Sequence, residues 1–281
     1  MRPTAAGSNA SELPLVPRTD YADAMNCVAF RLSAIALATC LIPQLLAQNV
    51  KFRATYQPTE HKIYAWRSIE DLPRQLAQFV NVFWDPRDTP SLRKLIRTSN
   101  ICSNKTVMEI GVGTGLLSLC ALQNGAAKVV GTDINPAAFA NAKYNATGLR
   151  LHERFDCRLV TKEKPGAFEI IKPDEKFDLI ISNPPWVNQK PNSDFEFALY
   201  DPGFHLLKTL LDGLPRHLKP GGKVLLAYGS VSGIKAVQKL AAERGYPVKI
   251  IDDDRDLEKL PEEFLPGMLL EVIVPKASPA K

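Results

Sequence analysis

From Thr106 onward the chain alternates short apolar runs with longer amphipathic ones, and this alternation constrains the fold more than any other feature. Thr106–Ile110, Lys128–Thr132, Phe155–Val160, Asp178–Ser182, Lys223–Ala227, Val248–Ile251 and Leu269–Val274 read as strands. Leu116–Gln123, Pro136–Ala146, Phe204–Leu218 and Ser232–Arg244 read as helices between them, with Pro136 suited to a first helical turn. Strands separated by helices of this length imply an α/β fold with a mostly parallel, doubly wound sheet. Such sheets bind ligands beyond the carboxyl ends of their strands, so the residues that directly follow the strands hold the chemistry.

Bulk composition narrows the class without naming a function. The 281 residues are 45% hydrophobic and 23% charged, which suits one large globular domain with or without an appendage. The formal net charge of +5 permits an anionic partner such as RNA but does not demand one. The five cysteines, Cys27, Cys40, Cys102, Cys120 and Cys157, are odd in number and form no Cys-x-x-Cys pair. A disulfide framework or zinc site is therefore not expected, and the pattern fits a reducing compartment. His61, His152, His205 and His217 show no metal-ligand spacing, so no metal is expected.

Three segments that follow strands carry chemistry. The first is Glu109-Ile110-Gly111-Val112-Gly113-Thr114-Gly115, which leaves a strand and opens a helix. Its glycines allow a tight turn and close backbone approach to a ligand. The spacing is G-x-G-x-G with Leu116 next, which departs from the dinucleotide fingerprint G-x-G-x-x-G, and the Gly-Lys-Ser/Thr of a phosphate loop is absent. Glu109 would repel a pyrophosphate. It suits a ligand with an amino group, such as the methionine part of S-adenosylmethionine.

The second is Asp133, at the end of the next strand and about 20 residues past the glycines. A carboxylate there can accept hydrogen bonds from both hydroxyls of a ribose. The competing role, capping the next helix, is better filled by Asn135 ahead of Pro136. The third is Asn183-Pro184-Pro185-Trp186, after the apolar run ending at Ser182. Two prolines fix the backbone and remove two N–H donors, leaving a turn rich in carbonyl acceptors. The Asn183 side-chain oxygen and the Pro184 carbonyl could accept both hydrogens of a planar NH2 group. Trp186 could stack on the group that carries it.

Together these segments resemble the class I S-adenosylmethionine-dependent methyltransferases, which implies a Rossmann-like seven-stranded sheet, here with an N-terminal helical extension. The Asn-Pro-Pro-aromatic signature is similar to the amino-methylating group, and within it to the glutamine methyltransferases of release factors and ribosomal proteins. Phe83-Trp84-Asp85-Pro86-Arg87-Asp88-Thr89 is similar to the Pro-Arg-x-Asp-Thr stretch of those enzymes, and the region from Leu199 to Gly222 is similar to their later part. The resemblance implies S-adenosyl-L-methionine as cofactor, bound by Glu109, Gly111, Gly113, Thr114, Gly115, Asp133 and Asn183. It places Asn183, Pro184, Pro185 and Trp186 around the reacting nitrogen. The implied partner is a protein substrate, a release factor or ribosomal protein, or else RNA. Adenine-N6 methylation of RNA or DNA is the alternative chemistry, because Trp186 stacks equally well on an amide or a base. A fold-retaining binding module without turnover is the alternative class, and the intact Glu109, Asp133 and Asn183 argue against it.

The expected organisation is a tail and apolar segment over residues 1–50, a helical lead-in over 51–104, the methyltransferase domain over 105–276 and a tail over 277–281. Ile69, Leu72, Leu76, Phe79 and Val80 recur at helical spacing and predict helix through much of Thr59–Thr98. The apolar run Val28–Ala47 permits three readings: a helix packed on the domain, a membrane anchor, or a signal peptide read from Met25. As an anchor, Asp20 and Asp23 before it and Lys51, Arg53, Lys62 and Arg67 after it would leave the catalytic domain in the cytoplasm. Export would separate the domain from a cofactor kept inside cells, so a cytoplasmic location and a packed helix are the preferred expectation.

Overall fold

The computed structural model of the chain describes residues 61–275 apart from Asp252. The apolar run 28–47 and both tails lie outside the described residues. Among the described residues, no helix is long and apolar enough to cross a membrane.

The elements are β1 (Ile63–Arg67), β2 (Leu76–Phe79), α1 (Pro90–Thr98), β3 (Thr106–Ile110), α2 (Leu116–Gln123), β4 (Lys128–Asp133), α3 (Pro136–Gly148), β5 (Phe155–Leu159), β6 (Phe177–Ser182), α4 (His205–His217), β7 (Leu218–Ser230), α5 (Val231–Ala242), β8 (Val248–Ile251) and β9 (Glu263–Val272). The main sheet has the expected seven strands, arranged in the order β5-β4-β3-β6-β7-β9-β8. The pairs among β5, β4, β3, β6 and β7 are parallel. β9 runs antiparallel to both β7 and β8.

Alternation along the strands explains why both faces are covered. Met108, Ile180 and Val224 point to the face held by Leu207, Leu211 and Leu214 of α4 and Ile234 and Val237 of α5. Their neighbours Val107, Leu179 and Leu225 point to the face held by α1, α2 and α3, through residues such as Ile96, Leu119 and Ala142. Each such side chain removed from water contributes about 1.5–3 kcal/mol.

The strand order reverses between β3 and β6, which creates a crevice at their carboxyl ends. The register fixes what meets there. Ile110 lies level with Thr132 of β4 and with Ser182 of β6. The next residue on each strand is therefore Gly111, Asp133 and Asn183, so the three sequence segments begin side by side.

The helical lead-in expected ahead of β3 is corrected by the structure over its described part. β1 and β2 form an antiparallel hairpin, and only α1 is an α-helix. The cause lies on α3. Asn141 and Asn145 are one turn apart and present their amides to the β2 backbone. Asn145 Oδ1 accepts from Ala77 N at 2.8 Å, Asn141 Oδ1 accepts from Phe79 N at 2.9 Å, and both Nδ2 groups donate to the Ala77 carbonyl at 2.8 Å. The backbone of β2 is satisfied by this amide ladder and by β1, a tertiary preference that side-chain periodicity does not record. Leu76, Ala77, Gln78 and Phe79 are all buried, so the strand lacks the period-two alternation that would distinguish it from helix in the sequence.

Candidate active site

A cavity of about 510 Å³ opens at the carboxyl ends of β3, β4 and β6. Gly111 and Gly113 line it with φ of +77° and +53°, and a Cβ built on either would meet nothing within 4 Å. These two positions leave bare backbone facing open space, a cradle that an L side chain would both strain and fill. Gly115 differs from the expectation. It does not line the cavity, and a Cβ there would sit 3.3 Å from Ala142. Its smallness lets α2 approach α3, so the residue shapes the turn from behind. Thr114 lines the cavity, and its carbonyl accepts from Asn145 Nδ2 at 2.9 Å, which ties the turn to the ladder under β2.

Glu109 lies beneath the turn at 2% exposure. Its Oε2 accepts from Ser118 N at 2.7 Å and from the Ser118 hydroxyl. Burial outweighs these donors and pushes the carboxyl up to about 8. Asp133 closes the other side. Its Oδ2 accepts from Gly113 N and its Oδ1 from Asn135 N, both at 2.9 Å. Desolvation raises it to about 6. Each oxygen retains a further lone pair for a ligand hydroxyl. Asn135 caps α3 as expected, accepting from Ala137 N at 2.9 Å.

Asn183 follows β6 and lines the same cavity. Its Nδ2 donates to Asp88 Oδ2 at 3.2 Å. Its Oδ1 is buried and has no hydrogen-bond partner, alone in this among the described residues. An orphaned carbonyl oxygen in a cavity wall costs about 1–3 kcal/mol unless a ligand satisfies it. Pro184, Pro185 and Trp186 continue that wall. The Trp186 ring lies 6.4 Å from Tyr228 at a 41° tilt. A Cβ on Gly233 would sit 2.9 Å from Trp186 Cβ, and one on Gly229 would sit 3.2 Å from the ring edge. Trp186 is thus seated against the β7–α5 junction by two glycines, and its position is set before any substrate arrives.

Residues 187–201 form a strap that leaves the cavity wall after Trp186 and returns to it at Phe197–Asp201. Val187 bridges Tyr200, and Asp201 N donates to the Val187 carbonyl at 2.8 Å. Phe195 on the strap packs against Phe83 with centroids 6.5 Å apart, and Asp194 pairs with Lys162. Asp201 in turn accepts from Leu206 N and Leu207 N, at 2.9 and 3.1 Å, which anchors the strap to the start of α4. Phe83, Trp84, Phe197 and Tyr200 add aromatic rings to the cavity lining.

Asp88 is the residue that sequence reasoning left without a role. It is 3% exposed, and burial raises its carboxyl to about 6. Its segment is visible in sequence as Pro86-Arg87-Asp88-Thr89, but its partner Asn183 lies 95 positions away. Only the fold brings the two together.

These residues fit an adenosine-bearing ligand with an amino group. A bare glycine cradle and a carboxylate stand at the ends of adjacent strands, an acidic side chain lies beneath, and Asn183, which lines the same cavity, carries an orphaned buried acceptor. Comparisons with known proteins agree. The Ribosomal protein L11 methyltransferase (PrmA) family matches residues 91–184. A protein of Methanocaldococcus jannaschii, provisionally named a protein N5-glutamine methyltransferase, is 36% identical over 153 residues, covering 52% of this chain and 73% of that protein. The release factor glutamine methyltransferase of Cereibacter sphaeroides is 31% identical over 196 residues, covering 65% of this chain and 67% of that protein. The structure of a SAM-dependent methyltransferase from Agrobacterium tumefaciens superposes with a TM-score of 0.50 at 16% identity, over 79% of this chain and 72% of that one, which supports the fold.

Proposed function

We propose that this chain, which belongs to the glutamine methyltransferase family of class I S-adenosylmethionine-dependent enzymes, methylates the side-chain amide nitrogen of a glutamine in a partner protein. Its cofactor, S-adenosyl-L-methionine, would supply an electrophilic methyl group on a sulfonium: the sulfur–methyl bond would break as the nitrogen–methyl bond forms, sulfur would leave as a neutral thioether, and one amide proton would be released to solvent. The observation that carries the reading is the buried, unpartnered Asn183 Oδ1. An amide nitrogen is a weak nucleophile because its lone pair is delocalised into the carbonyl. Accepting one N–H at Asn183 Oδ1 and the other at the Pro184 carbonyl would fix the plane of the substrate amide. It would also draw electron density toward nitrogen and favour a more pyramidal geometry. Positioning is then the main contribution to rate.

The remaining residues take supporting roles. Gly111 and Gly113 offer bare backbone to the cofactor, Asp133 its free lone pairs to the ribose hydroxyls, and Glu109 a carboxylate to the ammonium group. Pro185 and Trp186 confine the substrate amide, with Trp186 held in place by the packing at Gly229 and Gly233. The aromatic lining suits a side chain threaded inward from a protein surface. A cytoplasmic location follows from where the cofactor is kept.

The test is transfer of tritiated methyl from the cofactor into separated release factors, ribosomal proteins and RNA, with tandem mass spectrometry of the labelled product. The reading predicts label in protein, at a glutamine carrying one extra methyl on its side-chain nitrogen. Label confined to RNA or DNA, at an adenine, would overturn it in favour of base methylation.

A further inference from the structure

We infer that Asp88 is a positioning residue that acts through Asn183: its carboxylate selects which end of the Asn183 amide faces the acceptor nitrogen. The inference rests on the proposed role of Asn183 at the site of transfer. An asparagine amide is nearly symmetric in shape, and rotation by half a turn about its last bond exchanges oxygen and NH2. The two orientations have opposite chemistry. With Oδ1 forward, the group accepts a hydrogen from the substrate NH2. With Nδ2 forward, two NH2 groups would confront each other and neither could accept.

Asp88 removes this ambiguity. An ionised carboxylate is an acceptor only, so it can pair with Nδ2 and repels Oδ1. The observed contact runs from Nδ2 to Asp88 Oδ2 at 3.2 Å, which leaves Oδ1 buried and unpartnered on a residue that lines the cavity. Asp88 is too buried for water to substitute in that role. Its own placement is built from several directions. Asp88 N donates to the Asp85 carbonyl at 3.3 Å, and the buried Arg93 donates to the Pro86 carbonyl at 2.9 Å while pairing with Asp71. From β9, Gly267 lets the turn come close: a Cβ there would lie 2.4 Å from the Asp88 carbonyl oxygen. A turn packed this tightly, carrying a carboxylate to a single amide, is the geometry of an orientation lock.

The test replaces Asp88 by Asn in the full chain. An amide can accept or donate, so the selection is lost while size and shape are kept. The expected result is a fall in kcat of about 10- to 100-fold, the range for losing a hydrogen bond to a charged group. KM for substrate and calorimetric affinity for the cofactor stay within a few-fold. Asp88→Glu, which keeps the charge, recovers more of kcat than Asp88→Ala. Wild-type kcat in Asp88→Asn overturns the inference, as does a loss of kcat matched by equal losses of cofactor affinity and melting temperature. A second readout is independent of the acceptor's identity. The side-chain NH2 signals of Asn183 in a nitrogen-15 spectrum, assigned by their absence in Asn183→Ala, are protected from solvent exchange in the wild type and lose that protection in Asp88→Ala. Unchanged protection overturns the lock whether or not glutamine is the substrate.

Discussion

The Ser182 hydroxyl donates to the Ile110 carbonyl at 2.6 Å, tying the end of β6 to the end of β3. Both residues are buried, and each immediately precedes a site segment, Asn183 on one side and Gly111 on the other. The bond therefore fixes the spacing between the residues assigned to the acceptor nitrogen and those assigned to the cofactor. Ser182→Ala is expected to lower unfolding free energy by about 1 kcal/mol, the usual net worth of a buried neutral hydrogen bond. Urea unfolding measures this, and kcat should fall several-fold while the cofactor still binds. A variant as stable and as active as the wild type would show that the bond positions nothing.

Gly233→Ala tests the seating of Trp186. The added methyl would lie 2.9 Å from Trp186 Cβ and 3.0 Å from the Tyr228 ring, closer than packed carbons approach, so the indole or α5 must shift. The expected outcome is a several-fold loss of kcat with cofactor affinity little changed, since the glycine cradle follows β3, and β6 lies between β3 and the β7–α5 junction. Steady-state kinetics beside calorimetry separate the two. Equal losses in both would place the damage in the fold rather than at the acceptor wall.

Cofactor affinity should depend on pH through Glu109 and Asp133. Both carboxyls are raised in the folded protein, chiefly by burial, to about 8 and about 6. A raised carboxyl favours the folded state at low pH, and that contribution is lost as pH rises through these values. The free protein should therefore lose stability from this source between about pH 4, where the unfolded carboxyls ionise, and about pH 8. A bound ammonium group and two hydroxyl donors favour the ionised forms, so binding should release protons at pH 7 and tighten as pH rises. Calorimetry in buffers of different ionisation enthalpy reads the proton count directly. Proton uptake on binding would contradict the assignment of these two carboxylates to the cofactor.

The parts of the site that follow strands were legible in sequence because the fold class says where ligands sit. Glu109, Gly111, Gly113, Asp133 and Asn183 all stand within three positions of a strand end, and the parallel register draws them together. What escaped depends on contacts distant in sequence. Gly115 reads as a third ligand-facing glycine until Ala142 is seen behind it. The β1–β2 hairpin reads as helix because its backbone partners are side chains of Asn141 and Asn145, which periodicity does not see. Asp88 belongs to a short family-like stretch, yet its use becomes visible only when Asn183 arrives beside it.

The most direct test of the account is methyl transfer by Asn183→Ala. The substitution removes the orphaned acceptor and leaves Gly111, Gly113 and Asp133 in place. Tritiated methyl transfer to the protein substrate is expected to fall by about 100-fold or more, comparable to removing one preorganised hydrogen-bonding group from an active site. Calorimetric binding of the cofactor should stay within a few-fold of the wild type. A variant that binds the cofactor and still transfers methyl at a rate near the wild type would contradict the central claim.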